Sequence, residues 1–115
     1  MRSKFKVGWV LVMFDLPVGS QEQRRLASRF RLDLLDLGFF MMQESVYARN
    51  CVSMDKYRQF LLKVRLLAPE EGNVTGLFIT NKQWLDSVRL TLVKPTLRSR
   101  QIANGEPPHQ QLMFW

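Results

Sequence analysis

The sequence predicts an α+β domain in which two helices lie on one face of an antiparallel sheet. Apolar runs of strand length alternate with segments whose apolar residues recur at the spacing of an amphipathic helix. Prolines and glycines separate these segments. A chain of 115 residues has room for one such domain with one core. The elements are assigned to the order strand, helix, strand, strand, helix, strand (βαββαβ), which is the split βαβ plan of the ferredoxin-like fold.

The first strand is predicted over Val7–Phe14. The residues from Trp9 to Phe14 are all apolar, and such an uninterrupted run is typical of a strand that is buried on both faces. Pro17 and Gly19 end the strand. In the assigned plan this strand is central, so its C-terminal end opens at the rim of the sheet, where Asp15 is the first polar residue.

The first helix is predicted between a capping box and a terminating glycine. The S-x-x-Q pattern that begins at Ser20 is typical of a helix start. Leu26, Phe30 and Leu34 follow at a spacing of four and form the stripe that faces a core. Gly38 stands where a glycine commonly follows the last helical turn.

The remaining elements of the domain, residues 1–93, are predicted from the same kinds of pattern. Period-two alternation indicates strands, apolar residues at helical spacing indicate helices, and serine and proline mark helix boundaries. The assignments are a second strand over Gln43–Arg49, a helix capped by Ser53 and ended by Pro69, a third strand over Val74–Thr80, a short helical turn over Asn81–Ser87, and a fourth strand over Val88–Val93.

The last part of the chain differs in composition. Residues 94–110 are predicted to be a basic, flexible connector. The chain then closes on four large apolar residues, which would favour aggregation if water surrounded them. We therefore expect residues 111–115 to form an added C-terminal strand that completes an open sheet edge, either of this chain or of a partner protomer, with the partner favoured. The apolar residues of this strand are Leu112, Met113, Phe114 and Trp115.

Charge is the strongest global signal in the sequence. Seventeen Lys and Arg stand against ten Asp and Glu, which gives a net charge of +7. A small domain this basic usually binds a polyanion, because each phosphate that it neutralises releases condensed counterions. The alternative is a solvated basic surface without a partner. The candidate nucleic-acid contacts are Arg24, Arg25, Arg29 and Arg31 on the outer face of the first helix, with Arg49, Arg98 and Arg100 elsewhere.

Other functional classes lack support in the sequence. The longest apolar run is far shorter than the roughly 20 residues of a membrane span, so no membrane association is expected. The single cysteine, Cys51, excludes an internal disulfide and fits a reducing compartment, and we expect a cytoplasmic protein. His109 stands alone in the connector and is interpreted as a surface residue.

Asp15 has two interpretations that the sequence leaves open. Its carboxylate can cap the turn before Pro17 by accepting backbone N–H bonds. It can also bind a hard cation such as Mg²⁺, which prefers oxygen ligands. One carboxylate is a weak metal site, and no second acidic residue or histidine cluster accompanies it. The metal interpretation therefore requires a dimer whose two-fold axis brings both copies of Asp15 to one cleft.

Four stretches together resemble one protein family. They are V-L-V-M-F-D-L-P-V at 10–18, F-R-L-D-L-L-D-L-G-F at 30–39, M-M-Q-E-S-V-Y-A-R at 41–49 and F-I-T-N-K-Q-W at 78–84. Their order and spacing resemble CRISPR-associated protein two, the small partner of the CRISPR integrase. The subgroup of type II systems is the most similar. The resemblance extends over residues 7–93, and the apolar C-terminal strand matches in kind.

The resemblance implies a function that the residues alone do not. Members are ferredoxin-like homodimers that bridge integrase dimers and hold duplex DNA (the prespacer) during spacer acquisition. The family is also described as a metal-dependent endonuclease, acting on single-stranded RNA or duplex DNA, with the aspartate at the end of the first strand as Mg²⁺ ligand. That aspartate corresponds to Asp15. The family's phosphate contacts include arginines of the first helix, which here implies Arg24 and Arg25. Met41 stands where some members have a basic residue.

Overall fold

The computed structural model describes residues 8–91 and confirms the predicted α+β, ferredoxin-like class. Four strands form one antiparallel sheet in the order β2-β3-β1-β4. The elements, in chain order, are β1 (Gly8–Asp15), α1 (Gln21–Asp36), β2 (Phe40–Gln43), β3 (Val46–Cys51), α2 (Met54–Leu67), β4 (Asn73–Thr80) and α3 (Asn81–Asp86).

Strand β1 lies at the centre of the sheet and is buried on both faces, as predicted. It pairs with β3 on one side and with β4 on the other. Val10 and Val12 point toward the two long helices and have no exposed surface. Trp9 points to the opposite face and is 6% exposed. The exposed Asp15 is the last residue of this strand.

Helix α1 begins and ends at the predicted signals. Ser20 and Gln23 form the reciprocal capping box, in which each side chain accepts a hydrogen bond from the other residue's backbone N–H. Phe30 and Leu34 are buried in the core. Gly38 follows the helix with φ of 90°, a left-handed backbone conformation that residues other than glycine rarely adopt. The capping and periodicity rules were therefore sufficient for this element.

The predicted single strand over Gln43–Arg49 is wrong in its bounds, because a hairpin occupies this segment. Gln43 ends β2, two residues form the turn, and β3 begins at Val46. Ser45 has φ of 64°, and its carbonyl accepts a hydrogen bond from the N–H of Phe14. This bond, together with the pairing of β3 with β1, holds Ser45 in a turn conformation that glycine or asparagine usually adopts.

The fourth predicted strand, over Val88–Val93, is corrected as well. Residues 88–91 belong to no strand, and Leu90 is 93% exposed. The hairpin supplies the second and third strands of the plan, so Asn73–Thr80 is the fourth strand. Residues 92–115, including the predicted connector 94–110 and the C-terminal strand 111–115, lie outside the described residues.

Two apolar clusters hold the sheet, one on each face. Helices α1 and α2 cover the first face, where the rings of Phe14 and Phe30 meet edge to face with centroids 5.1 Å apart. Helix α3 covers part of the second face. Its residue Trp84 is 1% exposed and stacks on Trp9 with ring centroids 4.2 Å apart. The two faces of β1 are therefore covered by different helices.

Arg49 ties the two long helices to the sheet. From β3, its Nη1 donates a hydrogen bond of 2.6 Å to the carbonyl of Leu37, at the end of α1. Its guanidinium also lies over the ring of Phe60 in α2, with Cζ 4.4 Å from the ring centroid. One side chain thus satisfies a helix-terminal carbonyl and packs against a second helix.

Replacing Gly38 should destabilise the fold. In Gly38→Ala the new Cβ would meet Nη1 of Arg49, and alanine would have to keep a positive φ. We expect a loss of roughly 1–3 kcal/mol in the free energy of unfolding, measured by urea denaturation. Gly19→Ala is the matched control, because its Cβ would approach no atom closer than 3.4 Å. Equal stability of the two variants would contradict the role given to Arg49.

Candidate nucleic-acid interface and carboxylate site

The carboxylate of Asp15 lies at the open rim of the sheet. The side chain is exposed at the end of β1, on the face opposite α1 and α2. Within residues 8–91, it accepts no hydrogen bond and forms no ion pair. The capping interpretation therefore finds no contact in this part of the chain, and the carboxylate is available to a ligand.

Strand pairing places a second oxygen-bearing side chain beside Asp15. Asn73, the first residue of β4, is the direct cross-strand neighbour of Asp15 and is also exposed. Directly opposed residues of an antiparallel pair project to the same face, with Cβ atoms roughly 4.5–5.5 Å apart. Sequence reasoning missed Asn73, because no local pattern shows which residue a strand will place opposite Asp15.

These donors fit part of a Mg²⁺ coordination shell. Carboxylate and amide oxygens are the hard ligands that Mg²⁺ accepts, and the ion usually keeps several waters. Among residues 8–91, no three His, Cys, Asp or Glu side chains are grouped closely enough to hold a metal ion. The described part of one chain therefore offers no complete metal site, and an ion at Asp15 would need further ligands from water or from a second protomer.

The predicted arginines of α1 do not share one environment. Arg25 forms a two-pronged ion pair with Glu22, at 2.7 Å to Oε2 and 2.9 Å to Oε1. This hydrogen bonding holds the pKa of the Glu22 carboxylate below its usual value. Arg29 pairs with Asp33 at 3.2 Å. Both guanidinium groups are exposed, yet each has a neighbouring carboxylate that offsets its charge.

Arg24 and Arg31 lie two helical turns apart and have no acidic partner within residues 8–91. Arg24 is exposed, and its Nη1 donates a hydrogen bond to the carbonyl of Val18 in the loop after β1. Arg31 is half-buried, with Cζ 5.6 Å from the centroid of the Phe14 ring. Arg24 therefore combines exposure with an uncompensated charge at the end of the molecule where Asp15 lies.

The structure does not place the other predicted nucleic-acid contacts beside the arginines of α1. Arg49 is half-buried between α1, α2 and β3, and it does not extend the basic surface of α1. Tyr47 of β3 is 3% exposed and belongs to the core, so it offers no surface on which a base could stack. Two arginines and the four apolar residues of the predicted C-terminal strand lie outside residues 8–91. They are Arg98, Arg100, Leu112, Met113, Phe114 and Trp115.

The positive charge is unevenly divided along the chain. Residues 8–91 contain 11 Lys and Arg and nine Asp and Glu, a net charge of +2. The other segments, residues 1–7 and 92–115, therefore carry +5 of the total of +7. No helix between residues 8 and 91 combines the length and apolar character needed to cross a membrane.

Fold and site together define a class of protein. It is a ferredoxin-like domain with an exposed carboxylate at the end of its central first strand and arginines on its first helix. The family model described as CRISPR associated protein Cas2 matches residues 8–87. The chain belongs to this family.

Curated relatives agree with the family assignment. The "CRISPR-associated endoribonuclease Cas2" of Campylobacter jejuni is 43% identical over 83 residues, which are 72% of this chain and 57% of that protein. A relative of the same name from Parvibaculum lavamentivorans is 42% identical over 76 residues, or 66% and 75% of the two chains. The relative from Paracidovorax avenae is 39% identical over 107 residues, or 93% and 94%.

Removing the Asp15 charge should leave the fold intact. Asp15→Asn deletes no hydrogen bond or ion pair formed within residues 8–91, so we expect the free energy of unfolding to change by less than about 0.5 kcal/mol. Ser20→Ala, which removes the cap of α1, should cost about 1 kcal/mol. Urea denaturation of both variants gives the comparison. A loss in Asp15→Asn as large as that in Ser20→Ala would restore the capping interpretation.

Proposed function

We propose that the protein is a homodimeric, duplex-DNA-binding scaffold that acts in CRISPR spacer acquisition, of the kind that accompanies type II systems. The observation that carries the DNA-binding part is the exposed guanidinium of Arg24 near the start of α1, which has no acidic partner within residues 8–91. Arg25 and Arg29 extend the same helix surface. Phosphate contacts of this kind position a duplex without reading its sequence.

Family membership and an open edge of the sheet support the proposed partners. β4 is an edge strand, and one side of it has no partner strand within residues 8–91. The apolar segment Leu112–Trp115 has the composition to pair with such an edge. We propose that each protomer donates this segment to the other. The resulting dimer bridges two integrase dimers across the bound prespacer.

The second candidate function is a Mg²⁺-dependent endoribonuclease. The observation that favours it is the exposed carboxylate of Asp15, which has no partner within residues 8–91, beside Asn73. The curated relatives also carry the endoribonuclease name. In a dimer, Asp15 from both protomers would hold the ion. Mg²⁺ would supply Lewis-acid activation of water and charge stabilisation on the phosphodiester.

The DNA-binding proposal predicts a charge-specific change in salt dependence. Arg24→Gln should reduce the slope of log Kobs against log salt for a short duplex by about 0.9, the value for one phosphate contact. Lys82→Gln is the matched control, because Lys82 is an exposed lysine that pairs with Asp86 on α3, the helix that covers the other face of the sheet. Fluorescence anisotropy at several salt concentrations measures both. Identical slopes for Arg24→Gln and the unmodified protein would exclude Arg24 as a contact.

Cleavage assays distinguish the two candidate functions. The scaffold proposal predicts no cleavage of single-stranded RNA or duplex DNA in Mg²⁺ beyond that in EDTA, in either the unmodified protein or Asp15→Asn. The endoribonuclease candidate instead requires Mg²⁺-dependent RNA cleavage that Asp15→Asn abolishes while nucleic-acid binding persists. Asp36→Asn, an exposed carboxylate at the far end of α1, should keep any such activity. Loss of cleavage in both variants would argue against Asp15 as the metal ligand.

A further inference from the structure

A half-open pocket of about 160 Å³ lies between the end of β3 and the start of α2. This volume is well above the roughly 10–15 Å³ that a single water requires. Both charged side chains in its wall are cations, and no carboxylate lines it. The lining residues are Arg49, Asn50, Cys51, Val52, Lys56 and Phe60.

The guanidinium of Arg49 is fixed but incompletely satisfied. Nη1 bonds to the carbonyl of Leu37, and the plane of the group rests over the ring of Phe60. Its Nε is buried and has no hydrogen-bond partner within residues 8–91. A buried donor on a charged group is costly to leave unpaired, so the contacts of Arg49 in this part of the chain compensate its charge only in part.

The other groups around the pocket favour a negative occupant. Lys56 places a second cation at the wall and forms no ion pair within residues 8–91. The acid next to it in sequence, Asp55, does not line the pocket and pairs with Arg58 at 3.1 Å. Burial raises the pKa of the Cys51 thiol, although the charge of Arg49 opposes the rise, and a neutral thiol adds no competing negative charge.

We propose that this pocket binds one phosphate-type oxyanion between Arg49 and Lys56. Arg49 offers a preorganised planar donor set, and Lys56 adds a mobile point charge from the helix, a combination suited to tetrahedral oxyanions. The anion is either free phosphate or one backbone phosphate of a nucleic acid. The site is separate from the arginines of α1, and it does not depend on the proposed scaffold function.

The test uses inorganic phosphate as the probe and the full chain as the protein. Titration should shift the ¹H–¹⁵N resonance of the Arg49 Nε–H saturably in nuclear magnetic resonance spectra. Lys56→Gln should weaken this binding roughly fivefold to tenfold, in line with the loss of one charge-assisted contact. Lys82 lies on α3 and does not line the pocket, so Lys82→Gln should bind phosphate within about twofold of the unmodified protein.

Two results would overturn the proposal: no saturable shift of the Arg49 resonance, or an unchanged phosphate affinity in Lys56→Gln. Lys56 is exposed, so its replacement does not threaten folding in the way that replacing Arg49 does. A second titration with a short duplex identifies the source of the anion. Displacement of phosphate by the duplex assigns a backbone phosphate, whereas duplex binding that leaves the Arg49 resonance in place assigns free phosphate.

Discussion

Burial of β1 on both faces is the constraint on which the rest of the structure depends. A central strand with valines at 0% exposure toward the long helices needs a full helical layer on that side. Its other face carries Trp9, whose ring needs separate cover, and α3 provides it through Trp84. Each large side chain buried in this way contributes roughly 1.5–3 kcal/mol. The carboxylate of Asp15 can only lie where this double cover ends, and the site is therefore a consequence of the core.

Arg49 connects that core to the two helices by polar contacts. Its position in β3 is fixed by pairing with Val10 of the central strand. From there it reaches the carbonyl of Leu37, at the end of α1, and the ring of Phe60 in α2. The left-handed Gly38 leaves the space that the guanidinium occupies. A residue that composition alone would place on a nucleic-acid surface thus has a structural role, and it also lines the pocket at the start of α2.

Local signals predicted much of the fold. Three of these signals are the capping box at Ser20, the cap at Ser53 and the glycine after α1. Each acts through contacts within a few residues, so each can be predicted from the sequence. The β2–β3 hairpin was missed because its turn contains Glu44 and Ser45 and no glycine. What holds Ser45 at a positive φ is a bond from Phe14, thirty-one residues away. Long-range pairing of this kind also placed Asn73 beside Asp15, and no local pattern could show it.

The site itself was only partly predictable, and the reason is electrostatic. A count of charges along α1 treats its four arginines as equivalent, yet the structure divides them by their partners. Glu22 and Asp33 lie three and four residues from the arginines they neutralise, at spacings that favour ion pairs on a helix. The Arg25–Glu22 pair is exposed on both sides and therefore weak, so a phosphate can compete for Arg25. Arg24 has no acidic partner within residues 8–91, so a phosphate can approach it without displacing a carboxylate.

The described domain carries only +2 of the total charge of +7. In the proposed DNA complex, long-range attraction would come mainly from the charges of residues 1–7 and 92–115. A few side chains that have no acidic partner within residues 8–91 would set the geometry of contact.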